Sequence, residues 1–192
     1  MGKVKSLSKN TIYPFWITLA GALLMAVMLF LPYASATEDF EMELMESPEQ
    51  TYSMSTEMTN EEVVNISLFD YIKIDCAGMD YAATKAVAVA NLVVILIFGV
   101  FVLLTILMSV LKKPIATIVF DVLAIITFTV IHFDFSDRGI IPSSKYDWGI
   151  ANYLTYILGA VVLAGAVWLF IEKRKAKKPA DTIENTYVIP SR

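Results

Sequence analysis

The chain has 192 residues, 57% of them hydrophobic and only 18% charged, with a mean hydropathy of +0.62 and a formal net charge of −4. Soluble domains run nearer to about 45–50% apolar, so an ordinary globular fold is excluded, and the long apolar stretches leave no room for a large soluble catalytic domain. A single His, a single Cys and no Gly-rich motif remove the usual vocabulary of zinc sites, disulfide frameworks, Cys/His nucleophiles and phosphate loops. The expectation is a non-enzymatic membrane protein with no cofactor, no metal and no nucleic-acid partner.

The first expected span covers about residues 12–33, where the series from Tyr13 to Tyr33 is broken only by Pro14, Thr18, Gly21 and Pro32. Both prolines lie near its ends, where a helix tolerates them. The basic start, apolar core and Ala34-Ser35-Ala36 also resemble a cleavable export signal. At about 20 residues the apolar stretch exceeds the roughly 7–15 of such a core, which favours an uncleaved anchor.

Segment 36–85 follows as a cap between the first and second spans. It carries 12 of the 19 acidic residues, from Glu38 to Asp80, against only Lys73 and Lys85. The simplest account is a hydrated, translocated loop; the alternative is an acidic docking surface for a cationic partner. No D-x-[DN]-x-[DN]-G spacing supports a Ca²⁺ loop. Phe40, Met42 and Leu44 alternate with acidic residues along 38–44, and Tyr52, Met54 and Met58 lie along 51–58, with Ser47-Pro48-Glu49-Gln50 between. That pattern predicts a β-hairpin whose apolar face needs cover, and Phe40, Met42, Leu44, Tyr52 and Met54 are the expected partner-binding residues. Residues 63–74 would supply the cover: Glu61 to Ile66 suits a strand, whereas Ser67-Leu68-Phe69-Asp70 matches a capping box before a short helix. Asn65-Ile66-Ser67 is a formal glycosylation sequon, read as silent, and Cys76 is read as a small buried residue.

The second span, 86–111, would cover ~39 Å as a helix and the third, 115–133, ~28 Å. Only Lys112, Lys113 and Pro114 separate them, which makes an antiparallel hairpin. Asp121 is the one acidic residue well inside a span. It needs a packed interior, a partner or protonation to be tolerated there. His132 returns to nearly the same helix face ~16 Å further along. Asp121, His132 and Asn91 are therefore the candidates for an ion or proton pathway, although the stretch between Asp121 and His132 offers only Thr127 and Thr129 as polar groups. A structural role for Asp121 would have it reach Lys112 or Lys113, or bond Thr18 and Thr105 at similar depth.

The fourth span, 148–171, ends in Lys173, Arg174, Lys175, Lys177 and Lys178, a basic cluster suited to an anionic inner leaflet and to stopping transfer. The tail 173–192 is short and polar. Small-residue ridges at Thr18/Ala22/Ala26, Ala82/Ala86/Ala90 and Ala160/Ala164 argue for helix association.

Lys3, Lys5 and Lys9, the hairpin lysines and the terminal cluster all fall on one side of a four-crossing topology, which makes both termini cytoplasmic and the cap extracytoplasmic. The predicted fold is thus mainly α: a four-transmembrane-helix bundle bearing a small β-hairpin and short-helix cap. This layout resembles that of claudin-type tetraspan proteins. The resemblance extends to layout alone, because segment 36–85 lacks the tryptophan region and cysteine pair of that family's first loop. Scarcity of outside cysteines favours a bacterial cytoplasmic membrane. The functional expectation is an accessory, scaffold or sensing subunit that binds another membrane protein, or itself, through its acidic loop and helix faces. The alternative is a minimal proton- or cation-coupled transporter or channel using Asp121.

Overall fold

A computed structural model of the chain describes residues 9–53 and 56–176. Four helices are long and apolar enough to cross a membrane, as a multi-pass membrane protein requires: α1 (Lys9–Val27), with its 3₁₀ extension Met28–Phe30, α5 (Lys85–Val110), α6 (Pro114–Asp137) and α7 (Ile150–Ala176). They form a ring in the order α1–α5–α6–α7, each packed on two neighbours. Their outward faces present Leu96, Leu103, Ile126 and Ile157, a surface that suits lipid rather than water.

The helix ends differ from expectation in ways that matter for the site. The first span stops at Phe30, and Pro32 opens a strand, β1 (Pro32–Ala36), at the position in a strand that best tolerates a missing N–H. Pro14 lies inside α1 rather than at its edge, and the buried Thr18 hydroxyl one turn later donates back to the Pro14 carbonyl at 2.7 Å. The third span runs on past residue 133 because its buried face continues as Ala124, Phe128, Ile131 and Phe135, carrying Asp134 onto the helix and placing Arg138 at its C-cap. The tight connection closes on Lys112, whose φ of 53° is left-handed. Lys113 N–H donates to Met108 and Lys112 N–H to Ser109, both at 2.9 Å, a paired arrangement that satisfies the last carbonyls of α5.

Between α1 and α5 the cap is built from α2 (Glu38–Met45), β2 (Thr51–Ser53), β3 (Met58–Thr59), α3 (Asn60–Val64), β4 (Asn65–Ser67) and α4 (Leu68–Gly78). Residues 38–44 were expected as a strand and form a helix instead. Phe40 and Leu44, four apart, are buried while Met42 is exposed, which is the helical period and not the alternating one. Glu38, Asp39 and Glu41 in the first turn further favour the helix by facing its positive end. A hairpin does form, but between β2 and β3, pairing Thr51 with Thr59 and Ser53 with Met58. Met54 lies outside the described residues. The strand expected over 61–66 is cut down to β4, because a Thr59/Glu62 capping box starts α3 and makes residues 60–64 helical, whereas the Ser67/Asp70 capping box starts α4 as its spacing predicts. Asp70 is held below the ordinary carboxylate value; burial pushes it up, and the Ser67 hydroxyl and amide with the Lys73 ammonium outweigh that push.

A three-stranded antiparallel sheet ordered β4–β1–β5, with β5 (Tyr146–Trp148) from the loop between α6 and α7, ties the two loops together over the end of the bundle. The pairing of β5 with β1 also explains why α7 begins at Ile150 and not at residue 148. Beneath this sheet Tyr33 is fully buried at the centre of an edge-to-face cluster, with Tyr71, Phe128, Phe135 and Trp148 at ring-centroid distances of 6.3, 5.7, 5.7 and 5.5 Å. Of the small-residue ridges, that of α1 turns inward, with Thr18 against Gly165, Ala22 buried and Ala26 half-buried. Ala86, Ala90, Ala160 and Ala164 face outward.

Candidate functional site

A cleft of about 580 Å³ opens where the cap meets the N-terminal end of α5 and the C-terminal end of α6. Its walls are mostly apolar, from Ile74 and Tyr71 of α4, Val87 and Ala88 of α5 and Phe135 of α6, with Tyr52 and Tyr146 contributed by the cap hairpin and β5. A smaller space of about 100 Å³ between α5 and α6, lined by Val94, Val130 and Ile131, shares Asn91 and Phe135 with it.

One chain of polar groups crosses this apolar setting. Arg138, four residues after Asp134 and therefore on the same helix face, pairs with the Asp134 carboxylate. The same guanidinium donates to Asn91 Oδ1 on α5 at 2.8 Å, and Asn91 Nδ2 makes a long donation of 3.4 Å to Asp75 Oδ1 on α4. Three helices are thus joined through four side chains. Asp75 ends the chain incompletely: it is 6% exposed, and among the described residues its Oδ2 accepts no hydrogen bond. Burial pushes this carboxyl up to about 6; the Asn91 hydrogen bond and the Arg138 charge pull it back only in part, and Asp134 adds to the rise.

The position of Asp75 follows from the period of its helix. Starting from the cap at Ser67, Leu68, Tyr71 and Asp75 fall at spacings of three and four and form the buried face of α4. A carboxylate therefore occupies a position that the pattern reserves for an apolar residue. That mismatch is the sequence signal for the site, visible once α4 is begun at the capping box. Arg138 and Asp134 carried a weaker signal, an i,i+4 ion pair hidden because the third span was expected to end at residue 133.

The residues singled out from sequence do not converge. Asn91 belongs to the cleft. His132 lies apart, stacked on Trp148 at a centroid distance of 4.1 Å with Nδ1 3.0 Å from Asn152 Oδ1. Asp121 is fully buried within the bundle, and among the described residues neither of its oxygens receives a hydrogen bond. Thr18 and Thr105, considered as its partners, donate to their own helices, to Pro14 and Phe101. In the cap, Phe40 and Leu44 are buried, with Phe40 packed on Tyr146 and Tyr52, while Met42 projects outward. These residues therefore do not share one accessible face. Cys76, expected to be buried, is exposed on α4, one residue after Asp75. Lys173, Arg174 and Lys175 end α7, and Lys173 donates to the Lys112 carbonyl across the bundle end. Lys177 and Lys178 lie outside the described residues. Among the described residues, no group of three His, Cys, Asp or Glu side chains is placed to hold a metal ion.

The chain matches no protein-family model, no curated protein and no solved structure.

Proposed function

We propose that this protein is a non-enzymatic recognition subunit of a membrane, a sensing or accessory protein whose cap faces the extracytoplasmic side and whose cleft takes a small amphiphilic ligand. The observation that carries this reading is the cleft itself: an apolar space of about 580 Å³ with one incompletely satisfied carboxylate on its wall. Such a combination of apolar walls and few polar groups is the usual form of a small-molecule site. The orientation rests on basic residues, since Lys112, Lys113, Lys173, Arg174 and Lys175 all lie at the bundle end opposite the cap. A bacterial cytoplasmic membrane is the proposed setting. Association with another membrane protein, or with a second copy, would use the outward helix faces.

One experiment tests both orientation and cleft. Cys76 is the sole thiol and is exposed. A membrane-impermeant maleimide fluorophore is expected to label it in intact cells, and short amphiphiles are expected to change its emission in the labelled protein. Ala83→Trp, placed on the cleft wall at an exposed residue, should abolish that change. Failure to label from outside would overturn the orientation; emission that no amphiphile alters would overturn the cleft.

The orphaned carboxylate of Asp121 favours a second reading, transport of a proton or cation through the bundle. The recognition reading predicts otherwise. Replacing a buried, unbonded carboxyl by an apolar group of similar volume relieves a desolvation cost of about 1–3 kcal/mol. Asp121→Leu should therefore unfold no earlier than the parent, and proteoliposomes should show no proton or cation flux with either chain. Flux in the parent that Asp121→Asn abolishes would establish the transport reading instead.

A further inference from the structure

We infer that the cleft selects an organic monocation, a primary ammonium on an apolar body, with Asp75 as its counter-ion. The inference rests on the cleft being a ligand site and adds the chemistry of the ligand. Three observations lead to it. The first is the acceptor Asp75 Oδ2, unused among the described residues and shielded from solvent on a wall that is mostly apolar. An ionised carboxylate accepts and cannot donate, so the missing partner must be a donor. The second is charge. The polar chain holds two carboxylates, Asp75 and Asp134, and one guanidinium, Arg138, which is already committed to Asp134 and Asn91. One positive charge completes it, whereas an anion would meet an excess of carboxylates both here and across the acidic cap. The third is the aromatic lining. Tyr52, Tyr71 and Tyr146 line the same cleft as Asp75, and cations are stabilised by aromatic rings.

The groups facing Asp75 define how binding depends on pH. Asn91 faces it from α5, Arg138 and Asp134 from α6, and Tyr71 from its own helix, with Tyr146 beyond on β5. Burial holds both tyrosines above their ordinary range, so they stay neutral near pH 7. Asp75 itself titrates near 6. Because its folded value lies above the usual carboxylate value, the free protein takes up a proton there as pH falls, and stability associated with Asp75 decreases as pH rises from about 4 to about 6. A bound cation reverses that trend by favouring the ionised form. Affinity should therefore rise with pH through 6 and level off near 7.

The test uses the full chain in zwitterionic nanodiscs, titrated calorimetrically with phenethylammonium and with its neutral counterpart, phenethyl alcohol. A charge-assisted hydrogen bond is expected to give the amine an advantage of about ten- to hundredfold. The advantage should vanish in Asp75→Asn and shrink as pH falls below 6, while Ala83→Trp should weaken both ligands. Thermal unfolding of Asp75→Asn shows whether the variant is folded; it should melt no lower than the parent at pH 7. Equal binding of amine and alcohol would overturn the cation assignment and leave the cleft as a site. An amine preference that survives Asp75→Asn would overturn the role of Asp75. Binding of neither ligand to the parent would overturn the cleft reading along with this one.

Discussion

Tyr33→Ala should be the most damaging single side-chain truncation in the protein, lowering stability by about 3–5 kcal/mol, the range for removing a large buried aromatic. Tyr33 is fully buried and meets four rings from α4, α6 and β5, so its loss opens a hole that no one neighbour can close. The paired variant separates packing from polarity. The Tyr33 hydroxyl is buried and makes no hydrogen bond among the described residues, and burial holds it above its ordinary range. Tyr33→Phe keeps the ring and removes an unsatisfied donor, so it should be as stable as the parent or more so. Denaturant midpoints in mixed micelles would measure both. A destabilisation of Tyr33→Phe comparable to that of Tyr33→Ala would mean that the hydroxyl, and not the ring, holds the cluster.

Gly149→Ala should come next, at about 3 kcal/mol, the upper end of what overpacking costs where the surroundings cannot yield. A Cβ at Gly149 would stand 2.3 Å from the carbonyl oxygen of Pro32 and 2.6 Å from its carbon, and both are backbone atoms. The close approach is enforced by the Gly149 N–H, which donates to the Tyr33 carbonyl at 2.8 Å and seats the start of α7 against β1. Relief would require pulling β5 off β1, so the fluorescence of Trp148 should change with the stability. Gly99→Ala provides the contrast. Nothing lies within 4 Å of a Cβ there, and alanine is the better helix former by up to about 1 kcal/mol. If Gly149→Ala melted like Gly99→Ala, the contact between α7 and β1 would be looser than described.

The helices were legible because lipid demands long uninterrupted apolar runs, and a 3.6-residue turn fixes how much thickness each run covers. Their ends were less so. Phe135 continues the buried face of α6 beyond the point where hydropathy falls at Asp134, and hydropathy alone cannot register a helix that leaves the apolar zone. In the cap, Phe40 and Leu44 satisfy both a strand pattern and a helical one, and only the exposure of Met42 decides between them. The β1–β5 pairing is a long-range contact across more than 100 residues, for which neither partner carries a local signal. The site was half visible: Asn91 was singled out as an intramembrane amide, but Asp75 was counted among the acidic residues of a solvated loop. Its significance depends on which face of α4 it occupies, and that becomes apparent only when the helix is phased from Ser67.

The way β1 is shared has a practical consequence for anyone building chimeras. The middle strand belongs to one connection and an edge strand to the other, and Thr37 N–H is also held by the Lys145 carbonyl at 2.8 Å. Transplanting residues 32–84 alone into another four-span scaffold would leave the host to provide a docking lane for β1 that it does not have. Residues 32–84 and 138–149 travel as a unit, and a graft of both should keep its shape where a graft of either alone should not.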